Sequence, residues 1–547
     1  MNKSLLAIGI IFVGLTSCHK SFKSIVNEAE KATFIIYTFD EFGSPAGLGS
    51  GFFIDAEGTG ITNYHVLDGA VKAIIKTFDD NEYEINSVIA SDKNWDIVKF
   101  SIKNNGETFK PLKFSKRKIE KGDVVYNISN PLGLEKTISN GIVSSLRDDK
   151  QLGDIVQITA PISSGSSGSP ILDINGDVFA VATFMRRGGQ NLNFGVLIDK
   201  DKIDYFMKSD FSKKNNKFNA QSNFVILNIP ADDGANITLN AIEFGKTSTT
   251  LYLSYTHLNL TSKDYFVWCE LNKKEQGFTI EDVDTKKQYY LTSSTIGIDK
   301  ANATKVDLAA TMKFKVYFPV IKDDIKRINI YGCGKNDSRW QFKDINLRKY
   351  KEKANVNFED YTRDYALASL REGVYGDANN MLLEFVENNP NDMIALNALG
   401  ILSYIADNNS DALYYFSEAI DNNPNDELAY VNRFAVYRYQ NNYTAALADI
   451  TQAINVVPEQ ADNFVQRALL YMDMEDWKNA KNDLDKAIDS KDYKRNAEIY
   501  LLRIYANAYL GNSKDACNDI YTAFNLTNDK ELEEKLQDLW YEWGCKK

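Results

Sequence analysis

Gly165-Ser166-Ser167-Gly168-Ser169-Pro170 decides the first third of this 547-residue chain, read together with Gly60-Ile61-Thr62-Asn63-Tyr64-His65-Val66 and Asn94-Trp95-Asp96-Ile97-Val98. A serine hydroxyl is a poor nucleophile at neutral pH and needs a base within hydrogen-bond reach. His65 can take that proton and later return it, while Asp96 can fix the imidazole tautomer and stabilise its charged form. Glycines around Ser167 let the backbone turn N–H groups toward a developing oxyanion, and the expected donors are those of Gly165 and Ser167. Taken singly, a histidine after a β run, an aspartate before an apolar strand and a Gly-Ser loop each have an ordinary structural explanation. Their conjunction does not, because order, spacing and local context agree at all three places.

Outward from these segments, residues 24–208 are dense in short apolar runs such as Thr33-Phe34-Ile35-Ile36-Tyr37 and Val178-Phe179-Ala180-Val181, punctuated by Gly, Asn and Asp. That is the pattern of an all-β barrel or sandwich. The separations of 31 residues from His65 to Asp96 and 71 from Asp96 to Ser167, with the quoted motifs, resemble the HtrA/Deg-like branch of the trypsin-fold peptidases. Further segments carry the resemblance: Gly49-Ser50-Gly51-Phe52-Phe53-Ile54, Asn130-Pro131-Leu132-Gly133-Leu134 with Thr137, Gly141-Ile142-Val143-Ser144, and Gln157-Ile158-Thr159-Ala160-Pro161-Ile162. The resemblance covers 24–205 and implies two six-stranded β-barrels, with His65 and Asp96 on the first and Ser167 on the second. It also implies serine endopeptidase activity without a cofactor. Pro161 would lie near the base of the S1 pocket, with Ala182, Thr183 and Phe184 on its wall. None of these is charged, so a small or medium apolar P1 residue is expected. Two positions depart from the family: Ser169 replaces a glycine of the nucleophile loop, and Ser129 stands where a glycine often precedes Asn-Pro.

Beyond a polar linker at 209–223, residues 224–348 show a second β pattern, with Thr250-Leu251-Tyr252-Leu253-Ser254-Tyr255 alternating at period two. A β-sandwich is expected there. After 355 the texture turns helical and repeats. Asn-Asn-Pro-Asn-Asp stands at 388–392 and again at 422–426, and Ala378, Ala412, Ala446 and Ala480 keep the same offset of 34. The last unit is shifted by two residues, with Gly511, Ala516 and Ala523 in the matching places. This period resembles the tetratricopeptide repeat. Small residues let the two helices of a hairpin approach closely, and several hairpins must stack to bury their apolar faces. Five units over 359–528 and a capping helix at 531–543 are expected, offering a surface for protein partners.

The formal net charge of −12 argues against nucleic acid, which needs a basic face to neutralise phosphates. It equally argues against adsorption on an anionic membrane. Residues 1–17 read as a secretory signal: Lys3 gives a positive start, and the eleven-residue apolar run from Leu5 to Leu15 is too short to span a bilayer. Leu15-Thr16-Ser17-Cys18 resembles a bacterial lipobox, so Cys18 is the expected lipid attachment point of an exported, membrane-anchored lipoprotein in the periplasm or cell envelope. The other cysteines are Cys269, Cys333, Cys517 and Cys545; none forms a C-x-x-C pair, and with three histidines no metal site is expected. Export would let Cys269 pair with Cys333 and Cys517 with Cys545, although sequence alone leaves the pairing open. Homo-oligomerisation is likewise left open.

Overall fold

Runs of β-branched and aromatic residues set the strands of the N-terminal unit. In the first barrel these are β1 (Thr33–Phe39), β2 (Pro45–Phe53), β3 (Thr59–Thr62), β4 (Lys72–Thr77), β5 (Glu82–Asp92) and β6 (Ile97–Ile102). The second holds β7 (Val124–Ser129), β8 (Thr137–Asp149), β9 (Gly153–Ile158), β10 (Pro170–Leu172), β11 (Val178–Met185) and β12 (Asn193–Leu197). The computed structural model describes residues 21–104, 106–129, 137–149, 153–162, 165–185, 193–206, 224–232, 236–261, 264–267, 277–296, 302–332, 340–352, 360–370, 375–490, 494, 496–527 and 529–545. Cys18, Cys269, Cys333, the 209–223 linker and Asn130-Pro131-Leu132-Gly133-Leu134 lie outside the described residues.

Both sheets close, in the orders β1-β2-β3-β6-β5-β4 and β10-β11-β12-β9-β8-β7. Counted from the first strand of each, the two orders are the same, so the barrels are topological copies. Phe34, Phe52, Phe53 and Phe100 are wholly buried in the first barrel, each contributing about 1.5–3 kcal/mol of transfer free energy. A single apolar cluster joins Phe52, Ile61 and Ile97 of the first barrel to Ile128, Leu172 and Val181 of the second. It also takes Ile25 and Ala29 from helix α1 (Phe22–Glu30). Continuous packing of this kind fixes the loops that face each other across the two barrels.

The chain divides into two units, residues 1–41 with 45–221 and residues 42–44 with 222–547. In the second, Phe224–Pro230, Ile237–Phe244, Thr249–Thr256, Thr311–Phe318 and Ser293–Ser294 form one sheet, while Gln288–Tyr290, Thr279–Asp282, Arg327–Tyr331 and Gln341–Asn346 form another. Leu251 and Phe314 of the first sheet and Ile280 and Ile330 of the second share one core, the arrangement of a sandwich. Thr249–Thr256 is buried nearly throughout. It is an inner strand, and Phe224 covers the outward Tyr252 with ring centroids 5.1 Å apart.

Two short helices, α2 (Tyr64–Leu67) and α3 (Lys200–Phe206), belong to the first unit, and α4 (Leu347–Glu352) follows the sandwich. Hairpins then succeed one another: α5 (Tyr361–Ala368) with α6 (Gly376–Asn388), α7 (Met393–Ile405) with α8 (Asn409–Asn422), and α9 (Glu427–Tyr439) with α10 (Tyr443–Val456). Next come α11 (Ala461–Asp473) with α12 (Trp477–Asp489), α13 (Ala497–Tyr509) with α14 (Ser513–Leu526), and a terminal α15 (Lys530–Glu542). The repeated pentapeptide has a local cause: its aspartate caps the next helix, Asp392 accepting from Ala395 N–H and Asp426 from Ala429 N–H. Ala412, Ala446, Ala480 and Ala516 are wholly buried where paired helices meet. A second period runs beneath the small residues. Arg433 grips Asp449, Arg467 grips Asp483 and Arg503 grips Asp519, each by two guanidinium N–H donors across one hairpin. The same arginines reach back to Ser417, Thr451 and Asp485 on the preceding hairpin. Cys517 and Cys545 form a disulfide that ties α14 to the residues following α15, as the sequence had suggested.

Candidate active site

His65 lies in α2, directly after β3, and Asp96 lies in the turn between β5 and β6. Asp92 shapes that turn, its carboxylate accepting from Asn94 N–H at 2.8 Å and Trp95 N–H at 3.0 Å. Asp96 itself has φ 51°, a left-handed conformation held from outside. Its carbonyl accepts from Asn63 Nδ2 at 2.9 Å and from Tyr64 N–H at 3.1 Å. The backbone of the histidine segment therefore clamps the aspartate before their side chains meet.

The side chains then complete the contact. Asp96 Oδ2 lies 2.8 Å and Oδ1 3.0 Å from His65 Nδ1, and Oδ1 also accepts from His65 N–H at 3.0 Å. With Nδ1 facing a carboxylate, its proton is held there and Nε2 is left to act as a base. The imidazole is half exposed, whereas the carboxylate is largely covered.

Ser167 sits in the loop between β9 and β10, on the second barrel. Gly165 and Gly168 have φ of 86° and 89°, in the left-handed region that favours glycine. At Gly168 a Cβ would stand 2.1 Å from Ser50 O and 2.2 Å from Thr62 Oγ1, so only glycine fits. Neither Gly165 N–H nor Ser167 N–H donates a backbone hydrogen bond among the described residues. Ser167 Oγ donates to Thr183 O at 3.2 Å, and no hydrogen bond joins it to His65.

The two departures from the family pattern are accommodated by partners. Ser169 Oγ accepts from the buried Asn127 Nδ2 at 2.7 Å, and Ser129 Oγ accepts from Ser166 Oγ at 3.1 Å. Asn127 and Ser129 of β7 thus meet Ser169 and Ser166 of the nucleophile loop, so each added hydroxyl has a partner rather than being stranded.

Of the expected pocket residues, Pro161 is exposed, its carbonyl accepting from Ser139 Oγ, and Ala182 is buried with its backbone bonded to Gly168 and Ser169. Phe184 is on β11, paired through its backbone with Phe194. Thr183, also expected on the wall, has a further contact: its hydroxyl donates to Asp96 Oδ2 at 2.5 Å. It lies at an irregularity in the β11–β12 register between Ala182 and Phe184, which turns its side chain toward the first barrel and leaves its carbonyl facing Ser167. A threonine inside an apolar strand gives no sign of this role in sequence. The Ser50 hydroxyl, which donates to Gly165 O at 2.8 Å, is another member the sequence did not single out.

Residues 49–181 match the family described as "Trypsin-like peptidase domain", and residues 365–427 match "Tetratricopeptide repeat". Among curated proteins, HhoA of Synechocystis is 34% identical over 166 residues, covering 29% of this chain and 42% of that protein. "Serine protease HTRA1" of Xenopus laevis is 30% identical, covering 33% of this chain and 40% of its own length. "Periplasmic pH-dependent serine endoprotease DegQ" of Escherichia coli is 33% identical, covering 28% and 34%. The chain thus spans less than half of the length of each of these relatives. With two closed barrels and a run of helical hairpins, it carries a trypsin-like peptidase domain homologous to the HtrA/Deg serine proteases, followed by tetratricopeptide repeats.

Proposed function

We propose that the protein is a serine endopeptidase in which Ser167 attacks the scissile carbonyl, His65 accepts and returns the proton, and Asp96 holds the imidazole. The observation that carries this reading is the contact of Asp96 with both the ring and the backbone of His65, at 2.8–3.0 Å. In the first step the Ser167 hydroxyl loses its proton to His65 Nε2 as Oγ bonds to the carbonyl carbon. Negative charge moves to the carbonyl oxygen, where Gly165 N–H and Ser167 N–H stabilise it. The imidazolium then gives its proton to the leaving amine and the C–N bond breaks, leaving an acyl-enzyme. Water, deprotonated by the same histidine, releases the acid and restores the serine. The absence of charge at Pro161, Ala182, Thr183 and Phe184 supports a pocket for a small or medium apolar P1 residue, and a peptide library that revealed an Arg or Lys preference would refute that.

Export and attachment through a lipidated Cys18 belong to the same proposal, supported by the leader sequence and by the periplasmic designation of DegQ. The tetratricopeptide hairpins recruit protein clients or partners. Deleting 355–547 is then expected to slow cleavage of protein clients while sparing short peptides.

One observation favours a conditional form of the activity. Ser167 Oγ bonds to Thr183 O instead of His65, the geometry of a resting site or of a scaffold whose peptidase awaits a signal. Fluorophosphonate labelling of the purified protein beside Ser167→Ala tests the proposal. Labelling of the parent alone supports an activated nucleophile, whereas an unlabelled parent refutes the peptidase reading for the isolated protein.

A further inference from the structure

We propose that Ser50 is a positioning residue of the oxyanion site, fixing from the first barrel the backbone that carries both donors; this rests on the peptidase reading above. Ser50, in β2, is wholly buried. It meets the nucleophile loop twice: Oγ donates to Gly165 O at 2.8 Å and the backbone N–H donates to Ser167 O at 2.7 Å. Its own carbonyl accepts from Thr62 Oγ1 at 2.7 Å, linking the contact to the strand that leads into the histidine segment. From the other side, Ser129 accepts from the Ser166 hydroxyl at 3.1 Å. Gly165, Ser166 and Ser167 are therefore each held by a hydrogen bond from outside the loop.

The need for such a brace follows from the glycine. Gly165 at φ 86° has no side chain to restrict its backbone, and a glycine peptide can rotate at little intrinsic cost. A rotation here swings the neighbouring N–H groups away from the position that a carbonyl oxygen must occupy. Anchoring the Gly165 carbonyl restrains the Gly165–Ser166 peptide, the link between the two units that carry the donors. Space-filling alone does not account for Ser50, since alanine would occupy the same volume less one oxygen. The hydroxyl matters because it is aimed at one of the two carbonyls, those of Gly165 and Ser166, that lie between the donors. Ser50 touches no reacting atom in this arrangement and acts only through the loop.

Ser50→Ala in the full chain removes the Oγ bond while retaining the backbone bonds to Ser167 and Thr62. The readouts are the rate of fluorophosphonate labelling, kcat and KM on a peptide that the parent cleaves, and the thermal midpoint. Labelling rate and kcat are expected to fall about ten- to a hundredfold, with KM unchanged, because the loss is felt where charge develops. Should Ser50→Ala fail to fold, Ser50→Cys, close in volume with a weak S–H donor, carries the same readouts and is expected to lie between parent and the predicted alanine value. Labelling of the variant at the parent's rate overturns the inference and leaves the peptidase reading intact. So does a rise in KM matching the fall in kcat/KM, which marks a general structural role. A parent that does not label removes the peptidase reading, and this inference with it.

Discussion

Replacing Thr183 by valine probes the electrostatics of the site with almost no change of shape. Asp96, 9% exposed as a residue, accepts through its carboxylate from three donors: His65 N–H, His65 Nδ1 and Thr183 Oγ1. Thr183→Val sets a methyl group where the third donor stood, in a place with no opening for water at 4% exposure. Losing a hydrogen bond to a charged group costs about 1.5–3 kcal/mol. The portion present whatever the charge of His65 reduces stability and leaves the rate alone. Only the portion that strengthens as His65 becomes an imidazolium enters the barrier. An even division assigns about 1 kcal/mol to the transition state, a five- to tenfold loss of kcat at nearly constant KM. Thr183→Ser keeps the hydroxyl and is expected to recover most of the rate. Steady-state cleavage of a peptide substrate and fluorophosphonate labelling, run beside thermal melts, separate the two portions. A valine variant as fast as the parent, or a serine variant as slow as the valine one, would refute the reasoning.

Two predictions concern the helical repeats. Arg467→Met leaves Asp483, whose side chain is 4% exposed, with only Lys486 Nζ at 3.9 Å, and should destabilise the repeats by up to about 3 kcal/mol, while Arg467→Met with Asp483→Leu restores most of the loss; urea unfolding followed by helical circular dichroism decides, and an unchanged single variant counts against the ladder. Burial raises the carboxyls of Asp426 and Glu427 above their usual range, against weaker opposing hydrogen bonds from Ala429 and Asn397 to the first and Asn463 to the second. Since the folded state raises these values, their ionisation weakens folding as pH climbs through the raised range, and stability returns as pH falls toward about 4. Asp426→Asn keeps a helix cap and is expected to flatten the dependence of the repeats' thermal midpoint on pH; an unaltered slope would show that other groups set it.

Much of the architecture was legible because chemistry and packing demand particular residues in particular order. His65, Asp96 and Ser167 stand in motifs whose spacing few other folds share, and the alanines at an offset of 34 mark where helices touch. The bond from Thr183 to Asp96 was not foreseen, because a threonine among valine, alanine and phenylalanine looks like any strand residue until a local register shift turns it. The role of Ser50 escaped for a related reason, and Ser129 was noticed only as a departure from glycine: a buried serine is defined by its partner, 115 residues away for Ser50 and 37 for Ser129. The Arg–Asp ladder stands in the sequence at the repeat period, but only the fold shows that residues 16 apart meet across a hairpin.

That ladder bears on how the repeats can change in length. Each arginine and its aspartate are 16 residues apart, in the hairpins α9–α10, α11–α12 and α13–α14 alike. The final unit is nevertheless two residues longer in its offset, and the excess falls in the connection between Asp489 and Ala497, outside any pair. Within a hairpin a one-residue insertion would rotate the second helix by about 100° and carry the carboxylate away from its guanidinium. Insertions and deletions are thus confined to the joints between hairpins, and the ion pairs act as a fixed gauge on the length of every hairpin that holds one.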